Sequence, residues 1–246
     1  MGIKEPLQAR QLYLRKRVLE ESIRVGNGHI ASAMSCVDIL DSIYSIKKPE
    51  DRVILSKGHA CMAWWIVLEE YGYKPDINKQ HPDIDIENGI ECTTGSLGHG
   101  LPVGVGMALA KKLKNKSGRI FVIISDGECQ EGTTWESLML ASHYKLDNLV
   151  IIIDNNKLQA LDRIENVLSL GNLQSKLVSF GATTLNIDGH NSEQLRDSIS
   201  MKSIHKPLVI IADTIKGSGV SFMREAKWHN RIPDNEQIKI ALKELS

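Results

Sequence analysis

Arg119 to Asn156 reads RIFVIISDGECQEGTTWESLMLASHYKLDNLVIIIDNN, and this stretch decides the fold. Two runs of Val and Ile, RIFVIIS (Arg119 to Ser125) and NLVIIID (Asn148 to Asp154), flank a helical pattern. Continuous apolar character without polar alternation suits strands covered on both faces. Two strands joined through a helix run parallel. Outward from this block, ATTLNID (Ala182 to Asp188) and PLVIIAD (Pro207 to Asp213) repeat the pattern, and Val53 to Ser56 predicts a shorter strand. Helical spacing predicts helices over 6–25, 36–45, 59–71, 99–114, 131–145, 171–180, 191–204 and 234–245. The alternation predicts an α/β fold: one doubly wound domain over residues 1–246, a mostly parallel sheet with helices on both faces.

Composition narrows the function. The 246 residues carry 30 Lys plus Arg against 30 Asp plus Glu. Such a balance gives no field to gather nucleic acid or an acidic membrane. No run approaches the length of a membrane span, and the amino terminus lacks the apolar core of a secretory signal. Cys36, Cys61, Cys92 and Cys129 form no C-x-x-C pair, which points to incidental thiols in a reducing cytoplasm. No strand leads into G-x-G-x-x-G, so a dinucleotide fold is disfavoured.

Chemistry concentrates after the strands, where open α/β folds bind ligands. Ser125-Asp126-Gly127 closes one strand and Asn155-Asn156 closes the next. The 27 residues between Gly127 and Asn155 leave room for a loop, a helix and a returning strand. Asp126 and Asn156 are therefore expected at the same end of the sheet. A carboxylate, an amide oxygen and the Leu158 carbonyl are hard oxygen donors that suit magnesium shared with phosphates. Gly127 lets backbone approach a phosphate closely.

The spacing resembles the thiamine-diphosphate motif GDG…NN, with Ser125 in place of the first glycine. SKGHA (Ser56 to Ala60), IECTTGSLGHGLPVGVGMALA (Ile90 to Ala110) and DTIKGSGVSFMREAKWHN (Asp213 to Asn230) resemble transketolase in the same order. The resemblance runs from about residue 10 to about residue 235 and is closest to the N-terminal subunit of two-chain bacterial transketolases. It implies thiamine diphosphate with Mg2+, or Ca2+ or Mn2+ in its place, held by Asp126, Asn156 and Leu158. His59, Gly127 and His229 would contact the diphosphate, and Gly95, Ser96 and Leu97 would carry the aminopyrimidine. His29 and His81 match substrate-channel histidines, with His99 a more distant neighbour. Glu131 and Glu136 match a carboxylate network that links two cofactors across a dimer, and the apolar helix around Glu136 makes its burial plausible.

The implied reaction moves a two-carbon ketol unit from a ketose to an aldose, the cofactor acting as electron sink. In the family, a glutamate and an aromatic wall for the pyrimidine come from a separate domain, which is not expected within these residues. The resemblance thus implies a separate C-terminal-type subunit carrying the pyrimidine-binding domain, in an α2β2 assembly. HIASAM after His29 departs from the family's Gly-rich run, with Ala31 and Ser32 adding bulk near the reacting carbon. NNKLQALDRIEN lacks the usual I-D-G. Both hint at an uncommon sugar. Competing readings are a 2-oxo acid dehydrogenase α chain, a deoxyxylulose-phosphate synthase-like enzyme and a silent cofactor-binding partner.

Overall fold

A computed structural model describes residues 7–246. The strands are β1 (Arg52–Leu55), β2 (Ile120–Ser125), β3 (Leu149–Asn155), β4 (Thr183–Asp188) and β5 (Leu208–Asp213). They form one sheet in the order β1-β2-β3-β5-β4, with every neighbouring pair parallel. The Val and Ile runs split by period two. Val53, Leu55, Phe121, Ile123, Val150 and Ile152 enter one core, while Ile54, Ile120, Val122, Ile124, Ile151 and Ile153 enter the other. A strand with two apolar faces needs two helical layers, and both are present.

One layer holds α1 (Ala9–Val25), α2 (Ile30–Ile46), α3 (Cys61–Glu70) and α8 (Ser192–Ser200). The other holds α4 (Gly100–Leu113), α5 (Gly132–His143) and α7 (Leu173–Ser179). α6 (Ile164–Leu168) and α9 (Asn235–Glu244) complete the chain. Among the described residues no helix is long and apolar enough to cross a membrane.

The helix expected over 6–25 begins in a residue outside the described range; α1 starts at Ala9, with Gln8 as its N-cap, and ends at Val25 as expected. α2 starts at Ile30 rather than at residue 36. It is buried almost all round, packed against α1, α3 and α8, so its opening turns carry no amphipathic stripe to read. The five-residue α6 is not among the expected helices. Trp64 and Trp65 are core residues; Trp64 Nε1 donates to Tyr44 Oη (2.9 Å).

Candidate functional site

Parallel strands in common register deliver their following loops to one edge. Ser125 pairs with Asp154 across β2 and β3, so Asp126 and Asn156 emerge side by side. Both are buried. Asp126 Oδ1 accepts from Gly127 N (2.8 Å) and Oδ2 from Lys157 N (2.6 Å), which ties the β2 loop to the β3 loop. Asn156 Oδ1 accepts from Leu158 N (3.1 Å) while Nδ2 donates to Asp154 Oδ2 (3.2 Å), so its amide orientation is fixed at both ends.

Asp154, unremarked in the sequence, is the hub of this edge. Its carboxylate accepts from Ser35 Oγ (2.6 Å), Asn156 Nδ2, Thr214 Oγ1 and Lys57 Nζ. Lys57 and Asp154 are both fully buried. Burial pushes the Asp154 carboxyl up, but the Lys57 ammonium and the hydrogen bonds outweigh it and hold it below the usual range. Asp126 has no such partner. Burial, reinforced by the Asp154 charge, pushes its carboxyl up to about 7 despite the amides of Lys157 and Gly127.

Glu128 is a third buried acid that sequence reasoning missed. Its carboxylate accepts from Ser56 Oγ, Gly98 N (2.9 Å) and Ser125 N (2.8 Å), joining the loops after β1, β2 and residue 95. Ser125, where the motif has glycine, returns the contact by accepting from Glu128 N (3.2 Å). Burial still raises the Glu128 pKa.

The predicted histidines converge. His29 lies with its ring centroid 5.4 Å from His59, 6.2 Å from His81 and 5.5 Å from His229; His59 and His229 are 5.4 Å apart. Burial first, then neighbouring cations and imidazoles, lowers His29 to about 4, His229 to about 3 and His59 well below its ordinary value. These three rings are neutral near pH 7. Lys216 Nζ donates to His229 Nδ1 (2.8 Å), leaving the neutral ring's proton on Nε2, and to the Leu158 carbonyl (3.3 Å). Burial lowers Lys216 to about 8. His29 Nδ1 is buried without a hydrogen-bond partner. The segment carrying Lys216 is braced from below. Ile215 N donates to His190 Nε2 (2.9 Å), and His190 Nδ1 meets Asp38 (2.7 Å), itself paired with the buried Arg15 (2.6 Å).

Gly95 sits at φ 144°, and a Cβ there would lie 2.8 Å from the His81 ring. Only glycine brings that backbone beside the histidine. Leu97 is half-buried and Ser96 and His99 exposed. Two expectations fail. Glu136 is exposed on α5, because the apolar residues that follow it (Leu138 buried, Met139 and Leu140 exposed) span more than one face. Glu131, its companion, is exposed too. Ala31 and Ser32 do not project bulk into an opening. Both are buried in α2, where the Ala31 carbonyl accepts from Gly217 N (2.9 Å) and the Ser32 carbonyl from Lys57 (3.2 Å).

The residues present fit a diphosphate and a hard cation. Asp126 is a buried carboxylate raised for want of a counter-charge, beside an oriented amide oxygen and a carbonyl. No cluster of three His, Cys, Asp or Glu side chains suited to a metal occurs among the described residues. A cavity of about 700 Å³ opens beside Asn156, Leu158, Thr214 and Lys216.

A thiamine-diphosphate-binding α/β domain is the class that this edge defines. The sequence profile described as transketolase, thiamine diphosphate binding domain, matches residues 13–245. The chain belongs to the transketolase family, as the thiamine-diphosphate-binding part of an enzyme for thiamine-diphosphate-dependent ketol transfer. It is 37% identical to one of the subunits of the apulose-4-phosphate transketolase of Phocaeicola vulgatus, over 98% of this chain and 94% of that one. A 6-deoxy-6-sulfo-D-fructose transketolase subunit of Clostridium sp. is 35% identical over 97% of this chain and 96% of its own. The crystal structure of Campylobacter jejuni transketolase superposes with a TM-score of 0.82 at 27% identity, covering 96% of this chain and 42% of that one. The chain thus spans about two fifths of the solved transketolase.

Proposed function

We propose that this chain is the diphosphate- and metal-binding subunit of a two-chain transketolase. The observation that carries the reading is the meeting of Asp126, Asn156 and Leu158 at the edge of β2 and β3, under neutral His59 and His229. In this reading Asp126, the Asn156 amide oxygen and the Leu158 carbonyl hold Mg2+, for which Ca2+ or Mn2+ can substitute. Gly127, His59 and His229 contact the diphosphate, and Lys216 adds a cation. Gly95, Ser96 and Leu97 form the ledge for the aminopyrimidine, next to Glu131. When bound, thiamine diphosphate supplies a nucleophilic carbon and an electron sink for breaking and forming a ketose carbon–carbon bond.

The protein's own part is positional and electrostatic. A neutral imidazole both donates and accepts, so His29, with His81 beside it, can hold sugar hydroxyls and pass protons about a carbonyl. The buried Lys57–Asp154 pair keeps the Asn156 oxygen aimed at the cation. Glu136, exposed on this chain alone, has its role across an interface between subunits.

The whole described chain acts as one diphosphate-binding domain. Its partner is a C-terminal-type subunit with the pyrimidine-binding domain, in an α2β2 assembly; the relatives named as subunits of a transketolase support a split enzyme. The names of two relatives, carrying a 4-phosphate and a 6-sulfo group, support sugar substrates with an anionic substituent. The proposed location is cytoplasmic, in keeping with four free cysteines. Calorimetric titration of this chain with Mg2+ and thiamine diphosphate tests the binding half. Mixing with the partner tests the rest: ketol transfer should arise that neither chain shows alone. Full turnover by this chain by itself defeats the two-chain reading.

A further inference from the structure

The loop after β3 is where this sequence leaves the family pattern, in NNKLQALDRIEN. It folds as a tight hairpin. Gln159 N donates to the Asp162 carbonyl (3.0 Å), Ile164 N donates to the Lys157 carbonyl (3.0 Å), and Leu158 and Arg163 form an antiparallel bridge. The turn folds the Gln159 side chain back over Gly127.

Gly127 is unusual among the glycines of this edge. A Cβ built on it would lie 3.8 Å from Ser125 Oγ, 3.9 Å from Gln159 Oε1 and 3.9 Å from Ile164 Cδ1, with nothing nearer. Its φ is not in the left-handed region. Neither the chain's own packing nor its backbone conformation demands glycine there. The open space is bounded by a hydroxyl, a primary amide and a methyl group, and it adjoins the Asp126–Asn156 edge.

The amide facing this space is itself incomplete. Gln159 Nε2 is shielded from solvent and has no hydrogen-bond partner among the described residues. Buried amide donors are rarely left without an acceptor, because desolvation is then uncompensated. The terminal torsion of glutamine is broad and two-fold, so a half-turn exchanges the ends of the amide. That half-turn presents the N–H group where Oε1 now stands, over Gly127.

We propose that Gln159 is a ligand of the cofactor's diphosphate, its amide N–H donating to a phosphoryl oxygen seated over Gly127. The assignment rests on the transketolase reading of the site. It gives the hairpin a purpose: the turn holds a neutral donor at the anionic end of the cofactor. Gln159 serves affinity for the diphosphate and leaves the reacting carbon to the histidines.

The test titrates the full-length chain with Mg2+ plus thiamine diphosphate, and separately with Mg2+ plus inorganic pyrophosphate. Wild type is compared with Gln159→Leu, which keeps the bulk and removes the donor, and with Gln159→Glu, which adds charge. Gln159→Met is a second donor-free variant, and the unfolding temperature of each ligand-free variant reports folding. Gln159→Leu should weaken both ligands by about tenfold to a hundredfold, the span of a lost hydrogen bond to a charged group. Gln159→Glu should weaken them further. Wild-type affinity in the folded Leu and Met variants overturns the proposal. So does a loss confined to thiamine diphosphate with pyrophosphate unaffected, because the amide would then touch the ring. A wild-type chain that binds neither ligand brings down the transketolase-site reading itself, a different outcome from either of these.

Discussion

The diphosphate end and the ring end of the site are built in different ways. At the first, Asp154 at the end of β3 and Lys57, Asp126, Glu128 and Asn156 on loops that leave adjacent parallel strands are buried, and each is tied by named hydrogen bonds. At the second, Gly95, Ser96 and Leu97 lie on a connecting loop, while Glu131 and Glu136 face outward. In the proposed reading, the contrast means that this chain supplies the site for a charged tail and leaves the ring attached to it to a second chain. Charge recognition needs fixed donors and counter-charges, and a sheet edge supplies them. Enclosing a ring needs a second wall.

Breaking the buried pair should have the largest effect. Lys57→Met leaves the Asp154 charge buried and unpaired, a change that costs about 3–5 kcal/mol. Urea denaturation should show that loss, and Lys57→Met with Asp154→Leu should recover part of it. A stability within experimental error of wild type for the single variant would mean that the hub carries no structural weight.

The two glycines sharpen the contrast. Gly95→Ala forces a Cβ to 2.8 Å from the His81 ring at a φ that L-residues rarely adopt, so it should lose about 1–3 kcal/mol of stability. Gly127→Ala meets only ordinary contacts and should fold within about 0.5 kcal/mol of wild type. Its cofactor affinity should nevertheless fall, because the methyl group occupies the space over the turn. Thermal unfolding with and without Mg2+ and thiamine diphosphate separates the two effects.

The smallest effect is a proton linkage. The Asp126 carboxyl, ordinarily near 3.8, is raised to about 7. A raised carboxyl makes the folded state hold a proton that the unfolded state has released. Between about pH 4 and pH 7 this group therefore favours folding at the acid end, and that contribution fades as pH rises through 7. A cation must displace the same proton, so Mg2+-dependent binding should strengthen by at most tenfold per pH unit up to about pH 7 and then level off. Titrations in buffers of different ionisation heat should count close to one released proton near pH 6; none released would remove Asp126 from the metal set.

Much of the fold is legible because its signals are local. Val and Ile runs mark β2, β3 and β5, and the Asp126 to Asn156 spacing foretells which ends meet. The start of α2 escapes the pattern because a helix buried on every side has no stripe. The exposure of Glu136 escapes it because apolar neighbours in sequence occupy different faces of a helix.

The sequence by itself determined the parallel sheet, the end of it that carries chemistry, and the meeting of an acid and an amide there. Only the tertiary structure decided that Lys57 and Asp154 neutralise each other, that Asp126 lacks a counter-charge, and that His29, His59 and His229 are neutral. Periodicity is read from adjacent residues. The protonation of a buried group is instead a sum over desolvation and partners such as Ser35, Lys57 and Thr214, which are distant along the chain and meet Asp154 only once it has folded.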